Sequence, residues 1–484
     1  MNRKTILNLK GMGAMMLVMA LPSLLFSCAS DGYDDDERFD PGVHNTTLQS
    51  PNADDITIEA SADGSKQTIT WPVVYGAGGY EVTLKDVTDN ANPVVVDSLE
   101  NDTIDGTSVT VTRTQDTNYE LTVKSLGNDR YGNATAESAT VKSFTSFTKS
   151  YAEIPDGTDL VEYFNANPAP VETEEEVCYD LVAGGKYTVS GELVLGTTAP
   201  ITLRCMDKAN KAVITFTGEN ATFTIRGGFS LKSVDIDADA SKKPLVSLDP
   251  DYSETGTGDF RHIKDNCYVG NCKISNLHSC FLYDNKVKYC LSSFTVDDCV
   301  VTLKATESTL TGGAVFYMNK GNGFVNTLTV KNSTFSGDRK AKYFVQWGSS
   351  ARADRAGYTS SLIAYQNCTF YKANGDQWGN YNSMAGNKTA NWEMTNCIFV
   401  DCGKGDIARR FLGGRGNQAT ATFGHNTYWY NGASETGYES YDNSGTVLTT
   451  DPALVNPDGG DFTPTGAEQV ANKTGDPRWL GTAE

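Results

Sequence analysis

Positive charge is scarce in this chain of 484 residues: 40 Lys and Arg stand against 60 Asp and Glu, a net charge of −20. Nucleic acid rewards clustered basic charge, so it is excluded as a partner. Histidine is rarer still, at four residues, and no cysteine pair has zinc-site spacing, which argues against zinc catalysis. After Phe26 there is no apolar run of membrane length. Apolar residues make up only 39% of the chain, while Gly, Asn, Thr and Ser abound. That balance disfavours a helical globule and favours a long β-architecture with many turns.

What is present starts with Arg3, Lys4 and Lys10, followed by an apolar run from Met12 to Phe26. The run is shorter than the ~20 residues a bilayer span needs and fits a signal peptide over residues 1–27. It ends in LLFSC, Leu24 to Cys28, with the small Ser27 before the cysteine. This resembles a lipobox, with Phe26 bulkier than the usual residue there, and the resemblance implies lipidation of Cys28. Residues 28–53 read as an acidic, flexible tether, with Asp34, Asp35, Asp36 and Glu37 in a row. That run also resembles the export signal of Bacteroidetes-type surface lipoproteins. The implied location is the outer membrane, lipid-anchored and facing the cell exterior.

Residues 54–148 contain seven short alternating segments: DITIEA, QTITWPVV, GYEVTLKD, PVVVDSL, SVTVT, NYELTVKSL and SATVKSFT. Alternation with Gly-, Asn- and Asp-rich turns predicts a β-sandwich. The order resembles a fibronectin type III module, with Trp71 and Tyr80 in the core and Tyr119 at the tyrosine-corner position. It bears no chemical constellation, and the expected role is that of a spacer.

From Val177 a second pattern recurs, as in Val269-Gly-Asn271-Cys272-Lys-Ile274 and Tyr365-Gln-Asn367-Cys368-Thr-Phe370. Copies surround Ser233, Asp298, Asn332, Asn396 and, in degraded form, Asn426. From Asn271 to Asn426 the steps are 27, 34, 35, 29 and 30 residues, a period that signals stacked repeats. Side chains on one strand face lie two apart, yet Tyr365 is three before Cys368, so the phase slips at Asn367. A tight bend there lets both flanking strands face inward. Asparagine suits it, because it tolerates the left-handed conformation, and its amides can stack in a ladder about 4.8 Å apart. The pattern resembles the corner of pectate-lyase-type parallel β-helices. So do the opening LVAGGKYTVSGELVL and the ending DPALVNPDGGDF with GDPRWLG. The expectation is a right-handed parallel β-helix over residues 149–484, with Asp156 to Asn165 as a helical cap. Cys272, Cys299, Cys368 and Cys397 share one inward position and read as small core residues rather than disulfides.

Irregular repeat lengths imply loops, where binding residues gather. Two insertions mix Arg and Lys with Trp and Tyr, and a third carries Lys404, Arg409, Arg410 and Arg415. Guanidinium forks clamp carboxylates and aromatic faces stack on sugars, which suits an acidic polysaccharide such as a pectin. The expected substrate contacts are Trp347, Tyr358, Trp378, Tyr381, Trp392 and Arg409. In the pectate-lyase-like family a bound calcium and an Arg or Lys base perform the elimination. The resemblance therefore offers Lys342, Arg352, Arg355 and Arg415 as bases and Asp235, Asp237 and Asp239 as calcium ligands. No family catalytic motif matches residue by residue. The expected function is a surface lipoprotein that binds polysaccharide for a glycan-utilisation system, alongside other uptake proteins. The alternatives are a calcium-dependent polysaccharide lyase or other pectin-active enzyme, and a structural or adhesive protein with a protein partner.

Overall fold

A bend that turns the chain without reversing its inward face produces stacked coils, and the backbone bends where the repeat requires it. In the computed structural model, which describes residues 41–61, 65–88, 92–171, 173, 175–413 and 420–481, the chain forms two units that divide after Ser146. Cys28 and the acidic run from Asp34 lie outside the described residues.

The first unit is a two-sheet antiparallel sandwich. One sheet pairs Thr57–Ala60, Lys66–Thr70 and Ser108–Thr112. The other joins Val94–Val95, Tyr80–Asp86, Asn118–Ser125 and Thr140–Thr145, with Asp102–Ile104 alongside the second of these. Alternation places Tyr119, Leu121 and Val123 inside, against Ile69, Trp71, Tyr80 and Leu84. Tyr119 Oη donates to the Thr114 carbonyl at 3.1 Å and accepts from its N–H at 2.8 Å, pinning the loop before its strand. The sandwich begins earlier than the sequence suggests. The N–H groups of Asn45 and Leu48 donate to the carbonyls of Tyr131 and Ala134, and Leu48 is buried, so part of the expected tether packs on it.

The second unit is a parallel β-helix of three sheets, with 11, 10 and 7 strands. Each coil passes from the first sheet through the bend to the second sheet, then to the third. The first strand, Ser150–Ile154, precedes the expected opening coil. Helix Leu160–Ala166 caps that end. The Asp159 side chain accepts the Glu162 N–H at 3.1 Å, while Leu160 and Phe164 enter the core.

Bend residues Ser233, Asn271, Asp298, Asn332, Asn367 and Asn396 have φ between 47° and 56°. The Asn367 amide donates to Asn332 Oδ1 and the Asn396 amide to Asn367 Oδ1, each at 3.1 Å, so the expected ladder forms there. The last copy is shifted by one residue. His425 takes the bend at φ 51°, and Asn426 occupies the inward position opposite Cys397. Its amide is satisfied by the Met394 carbonyl at 2.7 Å. Ten cysteines, all buried, are free thiols. Inside the second sheet, Phe370 stacks on Phe399 at 4.9 Å and 14°, with Phe335 and Tyr428 continuing the column.

Candidate functional site

Two residues past each bend, the second sheet presents an outward row: Val213, Asp235, Lys273, Val300, Thr334, Thr369, Ile398 and Thr427. Its later half is covered. The C-terminal residues return across this face as the hairpin Leu454–Asn456 and Asp461–Pro464, the helix Ala467–Ala471 and the turn Pro477–Trp479. Gln469 Nε2 donates to Thr427 Oγ1 at 3.0 Å, and the Trp479 indole N–H donates to Thr334 Oγ1 at 2.8 Å. Between them Asp476, 1% exposed, accepts from the Thr334 hydroxyl at 2.7 Å. Thr334, Thr369, Ile398 and Thr427 are consequently fully buried.

Where this cover stops, a groove of about 860 Å³ opens. Its floor is Asp235, Lys273 and Val300; its walls are Lys208 and Lys211 on one side and Asp458, Phe462, Arg478 and Trp479 on the other. Lys211 lies 3.6 Å from Asp235, and Arg478 forms an ion pair with Asp298. Lys372 and the Tyr371 hydroxyl hold Asp458 at 3.0 and 2.8 Å, which keeps its carboxyl below the usual range. Among the described residues the ammonium groups of Lys208 and Lys273 have no ion-pair partner. The arrangement can meet carboxylates with cations and offers an indole edge-on to Phe462 at 5.5 Å.

The expected site residues are distributed differently. The first two insertions read as loops carry third-sheet strands, Tyr343–Gln346 and the short Gly379–Asn380, and the third carries the helix Ile407–Phe411. Trp347, Trp378 and Tyr381, and Trp392 on the first-sheet strand Ala390–Thr395, are core residues, each at most 1% exposed, and cannot stack on a sugar. Trp378 lies flat on Phe344 at 4.4 Å and 7°, filling the coil interior. Arg352 forks onto Asp354 at 2.9 and 2.7 Å, and Arg355 Nη1 donates to the Ser349 carbonyl at 3.3 Å. Lys342 lies over the Tyr343 ring at 5.1 Å, and Arg409 sits 3.8 Å from Asp406 on a separate helix. Each of these cations is thus engaged by a different local partner, and Arg415 lies outside the described residues. Tyr358 lines a second, smaller depression.

The calcium ligands expected of Asp235, Asp237 and Asp239 are also corrected. Asp235 accepts the Lys273 N–H at 3.0 Å, Asp237 accepts the Asn276 amide at 3.0 Å, and Asp239 pairs with Lys304 at 2.7 Å. Lys304 and His278 hold Asp239 below the usual range. With their oxygens on separate donors the three form no cage. Among the described residues no group of three acidic, His or Cys side chains could hold a metal ion.

Lys208, Lys211 and Lys273 carry no site motif in the sequence, and Arg478 and Trp479 stand there only within the closing GDPRWLG. A signal existed for Lys273: counting two residues past each bend gives the outward row directly.

Three family models match in tandem, over residues 3–184, 185–336 and 363–479, each described as a domain of unknown function. No curated protein matches. Among solved structures the chain is similar to the PL6 family alginate lyase AlyGC, at 16% identity and a TM-score of 0.32. That match covers 78% of this chain and 45% of the lyase, so the chain spans under half of that relative's length. It is also similar to pectate lyase Pel3 from Pectobacterium carotovorum, at 11% identity and a TM-score of 0.17, covering 70% and 84% of the two chains.

Proposed function

We propose that this chain is a lipid-anchored surface protein that holds an acidic polysaccharide in the groove beside its C-terminal return. The observation that carries the reading is the concentration of Lys208, Lys211, Lys273, Arg478 and Trp479 around one open groove, in a chain of net charge −20. A uronate polymer laid along the stack would bring its carboxylates to the unpaired ammonium groups of Lys208 and Lys273. The Trp479 indole offers an apolar face to a sugar ring. In this reading Cys28 is the lipid anchor at the outer membrane. The acidic segment and the fibronectin type III-like sandwich then form the spacer, and the partners are the polysaccharide and other glycan-uptake proteins.

Affinity electrophoresis in gels containing single polysaccharides tests it. Pectic or other uronate polymers are expected to retard the protein, and the exposed double reversal Lys208→Glu with Lys273→Glu is expected to abolish the retardation. Unchanged mobility in every uronate gel, or retardation indifferent to that reversal, would overturn the reading.

A further inference from the structure

A smaller pocket, of about 440 Å³, carries chemistry that the groove does not use. It forms where two segments leading from the third sheet back to the first meet, and is lined by Tyr252, Glu254, His262, Lys264 and Tyr358. Its walls are fixed from below. The Arg355 carbonyl lies 2.0 Å from where a Cβ on Gly258 would stand, so only glycine lets the two segments touch. Lys288 Nζ donates to the Gly258 carbonyl at 2.6 Å. The Tyr252 ring lies parallel to Tyr289 at 6.5 Å and beneath the Arg226 guanidinium, which is itself held by Asp249 at 2.6 Å.

The polar groups in this frame are underused. His262 Nε2 lies 3.1 Å from the Thr257 carbonyl. A carbonyl only accepts, so that nitrogen carries a proton, and in the neutral ring Nδ1 is an acceptor with no partner among the described residues. Lys264 has no ion-pair partner among the described residues. Among the described residues Glu254 receives only the Tyr252 hydroxyl, at 3.3 Å. The Tyr358 ring is 6.3 Å from the imidazole and rests on the core.

We propose that this pocket is a second site, for a single sugar-acid ring. Its carboxylate would sit on Lys264, its hydroxyls would donate to His262 Nδ1 and Glu254, and its ring would lie against Tyr358. The volume of about 440 Å³ is within the range of small-molecule sites. A cation without an ion-pair partner beside the His262 Nδ1 acceptor and a carboxylate that accepts one hydroxyl selects an anionic polyol over a neutral sugar or a simple carboxylate. The site does not depend on the groove reading.

The chain has four histidines, so imidazole nitrogen signals are resolvable by NMR and His262→Gln assigns the relevant one. Galacturonate is the probe and galactose the neutral control. Galacturonate is expected to shift the His262 signal saturably while galactose does not. Lys264→Ala is expected to weaken binding by about tenfold, the loss of one charge-assisted contact. The groove reversal at Lys208 and Lys273 is expected to leave the shift unchanged. No saturable shift with galacturonate, equal binding of galactose, or affinity that follows the groove reversal instead of Lys264 would overturn the proposal.

Discussion

Asp476 holds the C-terminal return onto the second sheet, and its burial makes that contact sensitive to pH. Desolvation raises its carboxyl to about 6, although the Thr334 hydroxyl, the Arg478 N–H at 3.0 Å and the Arg478 guanidinium at 3.8 Å all favour the charged form. In the unfolded chain an aspartate titrates near 3.9, and a gap of about two pH units corresponds to ~3 kcal/mol. The folded state binds the proton more tightly, so its contribution is fully present below about pH 4 and is lost as pH rises through about 6. Asp284 and Glu435, buried and each raised to about 7, act in the same direction up to neutrality. Asp476→Asn keeps an acceptor for the Arg478 N–H and removes the charge. Thermal unfolding followed by circular dichroism from pH 4 to 8 is the assay. The variant is expected to match the wild type near pH 4 and to exceed it by up to ~3 kcal/mol at pH 8. A variant less stable than the wild type at pH 8 would refute the reasoning, because the ionised carboxylate would then be a net stabilising partner of Arg478 and Thr334.

Trp378→Ala empties a fully buried position beside Phe344, Phe370 and Phe399, and should cost about 3–5 kcal/mol. Uronate-gel retardation should persist wherever the variant remains folded; lost retardation with an unchanged melting midpoint would return Trp378 to the glycan. Asn367→Ala should cost about 2–3 kcal/mol in urea unfolding, through its left-handed backbone and two ladder hydrogen bonds. Asn367→Gly keeps the backbone freedom and should lose about 1 kcal/mol, so equal losses would contradict the conformational part of the argument.

The β-helix was legible because its defining event is local. A phase slip at one left-handed residue is written in a six-residue window, and Asn, Asp or Ser marks it in most coils. His425 escaped because histidine is a rarer occupant of that conformation and the adjacent Asn426 invited the wrong register. The third sheet escaped for a different reason. A strand as short as Gly379–Asn380 has no periodicity to read, so its aromatic neighbours looked like loop residues. Large rings beside Gly and Asn suit either a sugar platform or a coil interior, and only the path of the chain decides. The groove was the least legible, since Arg478 meets Asp298 across 180 residues.

The position of the groove nevertheless follows from the outward row itself. Covering Asp235 and Lys273 would strip water from charges that have little to receive them, at a cost of several kcal/mol per ion. The Thr334 hydroxyl donates to Asp476 and accepts from Trp479, those of Thr369 and Thr427 accept from the Asp476 N–H and from Gln469, and Ile398 needs no partner, so a returning tail can bury them. The change from charged to hydroxyl-bearing residues falls between Lys273 and Thr334, with Val300 at the boundary. The tail ends its cover there, with Trp479 on Thr334 and Arg478 reaching one coil further to Asp298. The residues that cannot be buried thus define an open floor, and the tail's own last aromatic and last cation become its wall.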